Sequence, residues 1–192
     1  MNEGGDTVGV LRRRPGPSAM PDSSTTIRSC RPSDAERLVD LVRELAVYEK
    51  LEAEAQASPD DFRTHLFGPR PSAEAFVAEV DGLVVGFALI FATFSTFRGQ
   101  PGMYLEDLFV RPEYRGRGIG RALLATLARL AVERGCGRLE WAVLDWNAPS
   151  IGFYRALGAL PMVEWTTYRL SDEPLSRLAA LAPSPEQETH TG

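Results

Sequence analysis

The segment Leu105-Glu-Asp-Leu-Phe-Val-Arg-Pro-Glu-Tyr-Arg-Gly-Arg-Gly-Ile-Gly-Arg121 constrains the chain more than any other. It reads as the end of a buried strand, Met103 to Val110, passing through a glycine-rich turn flanked by arginines into a helix. Glycine lets backbone N–H groups approach an anion closely, and the helix start adds unpaired donors and the positive end of its dipole. Such a segment suits a phosphate. The helix carries Leu123, Leu124, Leu127 and Leu130 as one apolar stripe and stops at Gly135. A strand from Arg138 to Leu144 completes a strand, crossover helix, strand unit, which requires a parallel pair in the sheet.

The elements before and after this unit follow from spacing. Thr25 to Cys30 reads as a first strand. Ser33 and Glu36 form a capping-box pattern opening a helix to about Tyr48, with Leu38, Leu41, Val42 and Leu45 on one face. Ser58-Pro59 opens a second helix that Gly68 ends. Ala75 to Val80 and Leu83 to Phe94 read as strands joined by Asp81-Gly82, a hairpin signal, so the sheet begins antiparallel. A short helix from Pro149 to Leu157 and a last strand, roughly Met162 to Leu170, close the domain. The fold class is α/β (α+β), with a mixed sheet of about six to seven strands at residues 26–172. Residues 1–25 read as a disordered extension and 173–192 as a short helix and disordered tail, because they are too polar to repay the entropy of ordering. Met20 is a candidate start.

Charge and cysteine usage narrow the partners. A net charge of −5 over 192 residues argues against nucleic acid and is compatible with a cationic substrate. Cys30 and Cys136 lie far apart, so no disulfide framework or paired-cysteine metal motif is read, and a reduced, cytoplasmic setting is expected. No apolar run reaches the ~18 residues of a membrane helix, so no membrane partner is expected. His65 and His190 form no ligand cluster, and no metal is expected.

Three phosphate-binding patterns compete for Arg115 to Arg121. A Walker loop needs Gly-Lys-Ser/Thr, which is absent, and a dinucleotide fingerprint needs glycine where Arg121 stands. Arg/Gln-x-x-Gly-x-Gly/Ala does fit, through Arg115, Gly118 and Gly120. With Val110-Arg-Pro-Glu-Tyr114 before it and Asp145-Trp-Asn-Ala-Pro-Ser-Ile-Gly-Phe-Tyr-Arg-Ala-Leu-Gly158 after it, the segment resembles the acetyl-CoA loop of the GNAT acetyltransferases. Tyr104 to Val110 and Trp146 to Tyr154 are similar to the diamine (spermidine/spermine) and thialysine acetyltransferases within that superfamily, over about Ile27 to Leu170.

The resemblance implies an N-acetyltransferase that moves acetyl from acetyl-CoA directly to a primary amine of a small molecule, in a cytoplasmic homodimer. It implies that Arg115, Gly116, Arg117, Gly118, Ile119, Gly120 and Arg121 cradle the pyrophosphate, and that Asn147, Pro149 and Ser150 contact the cofactor. Backbone groups of Leu108, Phe109 and Val110 would pair with pantetheine and polarise the thioester carbonyl.

Two proton problems assign the chemistry. A lysine-like ammonium near pKa 10.4 must lose a proton before it can attack, and Glu106 matches the family glutamate that acts as a water-assisted base. Asp107 would face the other side of a regularly paired strand, so only one of the two should reach the site. The departing thiolate must gain a proton, and Tyr154 matches the family's general acid. By the residues alone, Glu106 also reads as a strand-edge carboxylate in solvent or paired with an arginine, Tyr154 as core and Asn147 as a helix cap.

Tyr48, Glu49, Glu106, Asp107 and Trp165 match substrate-binding positions of the family, although Glu49 also reads as an ordinary solvated carboxylate. The chain departs from the polyamine enzymes at Phe94-Ser-Thr-Phe-Arg98, where Ser95 and Phe97 stand roughly in place of an acidic residue and a tryptophan. One counter-charge for a long polycation is missing, so a smaller diamine, a lysine-like amino acid and an amine-bearing natural product stand open beside spermidine. The competing functional class is a noncatalytic acyl-CoA sensor, with protein acetylation a third.

Overall fold

The computed structural model describes residues 25–183. The readings of Met20, His190 and most of the two terminal segments lie outside them. Five strands form one sheet in sequence order: β1 (Thr25–Ser29), β2 (Glu74–Val80), β3 (Leu83–Ser95), β4 (Gln100–Val110) and β5 (Leu139–Trp141). The first four are antiparallel, and β4 and β5 are parallel. The helices are α1 (Ala35–Glu49), α2 (Pro59–Phe67), α3 (Ile119–Glu133), α4 (Ala148–Ala156) and α5 (Asp172–Ala179).

Both faces of the sheet are covered, which explains the almost unbroken apolar run of β3. Leu38, Leu41 and Leu45 of α1 pack on one face against Val77, Val84, Phe87 and Phe109. Leu123, Leu124 and Leu127 of α3 pack on the other against Val85, Ile90, Met103 and Leu105. A strand buried on both sides loses the polar alternation of a half-exposed one. The β2–β3 turn has positive φ at Asp81 and Gly82, 50° and 81°, as their dipeptide predicts.

Three elements differ from expectation. No Ser33–Glu36 capping box opens α1. Instead Asp34, at the helix N-cap, accepts the Arg31 backbone N–H at 2.7 Å and is held by the Arg28 guanidinium at 2.7 and 2.9 Å. The strand read over Arg138 to Leu144 shortens to β5, three residues long. The last strand, Met162 to Leu170, does not form, and Met162, Val163, Trp165 and Tyr168 are exposed. A strand needs a ladder to join, and so short an edge strand offers the single chain almost none. The sheet therefore has five strands and not six or seven.

Candidate active site

A cleft opens where β4 and β5 part. Their pairing ends at Leu105 and Trp141, yet β4 continues for five residues to Val110 with β3 as its neighbour. Glu106 to Val110 thus runs along one wall, and Ala142 and Val143 lie on the other. The space is about 430 Å³. Leu108, Phe109 and Val110 all line it, so the β5-facing edge of β4 is open to an extended ligand that adds as a strand.

The β4 wall is irregular at its carboxylates. Ile90 stands opposite Leu105 while its neighbour Leu89 stands opposite Asp107, which leaves Glu106 as an extra residue in a β-bulge. A bulge breaks the two-residue alternation of side chains. Both Glu106 and Asp107 therefore line the cleft, correcting the expectation that only one would. Glu106 is exposed, whereas Asp107 is sunk into the wall. Burial pushes the Asp107 carboxyl up to about 6, and the charges of Glu106 and Glu49 add to the effect. Glu49, at the end of α1, is also raised by burial.

The loop closes one end of the cleft. Gly118 is the N-cap of α3 with φ 79°, and Gly116 has φ 77°, both left-handed conformations that favour glycine. Gly118, Ile119, Gly120 and Arg121 line the cleft, so the N-terminus of α3 opens onto it. Arg121 Nε is buried with no hydrogen-bond partner among the described residues. An orphaned cationic donor beside a helix N-terminus fits the pyrophosphate of acetyl-CoA. Arg115 also lines the cleft but is bound to protein: its Nε donates to the Val110 carbonyl at 2.8 Å, and its guanidinium sits 4.7 Å from the Tyr48 ring centre. Gly116 lines the cleft. Arg117 does not, and instead stacks on Tyr114 at 5.2 Å.

The far wall comes from α4. Asn147 is almost fully buried, and its Oδ1 accepts from the Ser150 N–H at 3.3 Å, capping the helix, and from the Tyr48 hydroxyl at 3.1 Å. Asn147, Pro149 and Ser150 line the cleft together with Tyr154. Tyr154 packs on Trp141 with ring centres 5.0 Å apart. Burial pushes its hydroxyl up to about 12, with smaller contributions from Glu49 and Tyr48.

The structure thus gathers Tyr48, Glu49, Glu106, Asp107 and Tyr154 into one cleft with the loop. Trp165 is apart from them, 74% exposed on the irregular segment after α4. Ser95 and Phe97 lie at the β3–β4 hairpin tip, away from the cleft lining. Sequence reading missed Leu45, Tyr114, Ala142, Val143 and Phe153 as lining residues. Phe153 was findable, since it shares the short helix with Tyr154. Ala142 and Val143 were hidden inside an expected strand that ends at Trp141.

Residues 37–159 match the Acetyltransferase (GNAT) family. The chain belongs to that family. Among the relatives of this GNAT acetyltransferase, mouse (Mus musculus) thialysine N-epsilon-acetyltransferase is 37% identical over 168 residues, covering 82% of the chain and 98% of the relative. An L-ornithine N5-acetyltransferase of Arabidopsis thaliana is 29% identical, covering 87% and 96%. Among solved structures, an integron cassette protein of V. cholerae superposes with TM-score 0.70 at 30% identity, covering 82% of the chain and 99% of that protein.

Proposed function

We propose that this GNAT acetyltransferase moves the acetyl group of acetyl-CoA to a primary amine of a small cationic molecule of the lysine or ornithine type. The observation that carries the reading is the convergence of three acidic residues, Glu49, Glu106 and Asp107, and one buried tyrosine on a cleft whose end is a phosphate-type loop. The relatives named for thialysine and ornithine support the substrate class.

Each wall has a task. The α3 N-terminus and Arg121 take the pyrophosphate, and the open edge of β4 aligns the pantetheine so that backbone N–H groups meet the acetyl oxygen. The bound thioester supplies the activated acyl carbon. The Glu106–Asp107 bulge supplies the proton acceptor, and the negative charge around it draws an ammonium in. Tyr154 holds its proton at every working pH. Full transfer to a free thiolate of pKa about 8.5 would run uphill by roughly 3.5 pKa units, so its hydroxyl assists the departing sulfur by hydrogen bonding as the C–S bond breaks.

Removing that hydroxyl tests the assignment. Tyr154→Phe should lower kcat by about 100-fold while acetyl-CoA still binds in calorimetry. A wild-type rate in the variant would refute the role.

Met162, Val163, Trp165, Tyr168 and Leu170 are exposed on one segment, followed by an α5 that exposes Leu175 and Leu178. So much contiguous apolar surface supports a homodimer in which this segment is covered.

A further inference from the structure

We infer that Arg138 and Glu140 bind the amino-acid head of the substrate, its α-carboxylate on Arg138 and its α-ammonium on Glu140, so that the side-chain amine is the one delivered to acetyl-CoA. The inference rests on the acetyl-transfer reading above and assigns the far end of the substrate within it.

Strand register puts these groups on the same face of the sheet as the recessed cleft acid. Leu89 stands opposite Asp107, Phe91 stands opposite Tyr104, and Glu140 of β5 is the parallel partner of Tyr104. Leu89 packs on the α1 side of the core, and Phe91, two residues on, faces the same way. Asp107, Tyr104 and Glu140 therefore share the α1 face. Phe91, Tyr104 and Glu140 are only half-buried, which leaves that stretch of the face open to a ligand.

The β4 bulge sets the span. Asp107 and Tyr104 are three residues apart on β4, yet their partners Leu89 and Phe91 are only two apart on β3. Two strand steps along and one strand spacing across separate Asp107 from Glu140 by roughly 8 Å between backbones. An extended ornithine or lysine bridges such a gap from its terminal nitrogen to its head group. Between the two ends the Phe91 and Tyr104 rings stack with centres 5.1 Å apart, an apolar floor for the methylenes. Burial raises the Tyr104 hydroxyl and Glu106 and Glu140 add to the effect, so both carboxylates lie within electrostatic reach of that ring.

The far end carries both signs. Arg138 Nε meets Glu140 Oε2 at 2.6 Å, and both side chains are partly exposed. Such a pair contributes little by itself, so its two groups can take up a zwitterion without breaking a strong contact. Only Nε is used in the pair, which leaves the terminal nitrogens of the guanidinium to the oxygens of a carboxylate. Beside them the Thr93 hydroxyl is buried with no hydrogen-bond partner among the described residues. The missing side chain of Gly102 brings the two together: a Cβ there would stand 2.5 Å from Thr93 Oγ1 and 3.5 Å from Arg138 Nε. An unpartnered hydroxyl next to a guanidinium edge suits an anion.

The same pair discriminates among amines. A diamine of equal length ends in a bare ammonium, which gains Glu140 but meets Arg138 with like charge. An amino acid satisfies both.

The test measures acetyl-CoA turnover of the full chain with ornithine and with 1,4-diaminobutane, which is ornithine without its carboxylate. Wild type should favour ornithine in kcat/KM by at least about 10-fold and place the acetyl group on its side-chain nitrogen, read by mass spectrometry. Arg138→Gln should raise the ornithine KM about 10-fold with kcat little changed, and lower the diamine KM, bringing the two amines level. Glu140→Gln should raise KM for both amines and keep the preference. Acetyl-CoA affinity in calorimetry should be unchanged in both variants, which reports that the fold is intact. A wild type that does not prefer ornithine, or that acetylates its α-nitrogen, would overturn the inference, and neither result needs a variant to fold. So would a preference that survives Arg138→Gln. A wild-type chain that binds acetyl-CoA yet acetylates neither amine overturns the acetyl-transfer reading instead, and this inference with it.

Discussion

The Tyr48 hydroxyl donates to Asn147 Oδ1 at 3.1 Å, joining the last turn of α1 to the first residue before α4. The Tyr48 ring also lies under the Arg115 guanidinium. One side chain therefore ties together the substrate end of α1, the phosphate loop and the helix that carries Tyr154. A residue that matched a substrate-contacting position turns out to brace the cleft as well as line it.

Tyr48→Phe should keep the stacking and lose the hydrogen bond, lowering stability by about 1 kcal/mol. Asn147→Ala removes the α4 cap and leaves the Tyr48 hydroxyl without its acceptor, and should cost about 1–2 kcal/mol. Thermal unfolding of the two variants checks this order; an Asn147→Ala protein as stable as wild type would contradict it.

Gly118 holds φ 79° at the start of α3. Valine there would be strained by about 1–2 kcal/mol and would set a branched side chain over the N–H groups facing the cleft. Gly118→Val should weaken acetyl-CoA binding at least about 10-fold, a loss of roughly 1.4 kcal/mol. Calorimetric titration reads the effect directly, and unchanged affinity would remove the loop from the cofactor site.

Asp107 carries a stability signature of its own. Its folded carboxyl titrates near 6, above the ~3.9 of an unfolded chain, so the folded state binds the extra proton between those values. Stability from this group is therefore fully present below about pH 4 and lost as pH rises through 6. Asp107→Asn should raise stability at pH 8 by at most roughly 3 kcal/mol, read as a higher melting temperature, and change little near pH 4. Equal shifts at both pH values would mean that burial does not strain the charge.

The fold was legible wherever the information was local. Periodicity gave the α3 stripe, Asp81-Gly82 gave a hairpin, and Ser58-Pro59 gave the start of α2, where Ser58 caps Asp61 in a capping box. The α1 cap was misread because Asp34 is claimed by Arg28 from β1, a contact no local pattern contains. The final strand was misread because its existence depends on an available edge and not on its own residues. The loop and Tyr154 could be matched in sequence, since glycine spacing and helix position are local. Asp107 could not be given its place, because a bulge is defined by the register against Leu89 and Ile90 on another strand.

The most direct test of the account is acetyl-CoA turnover with thialysine, ornithine, lysine, spermidine and an amine antibiotic, following both coenzyme A release and the acetylated product by mass spectrometry. Acetylated product is expected with the lysine-like amino acids, in stoichiometric step with coenzyme A release. Tight acetyl-CoA binding with no acetylated amine from any member of the panel would contradict it.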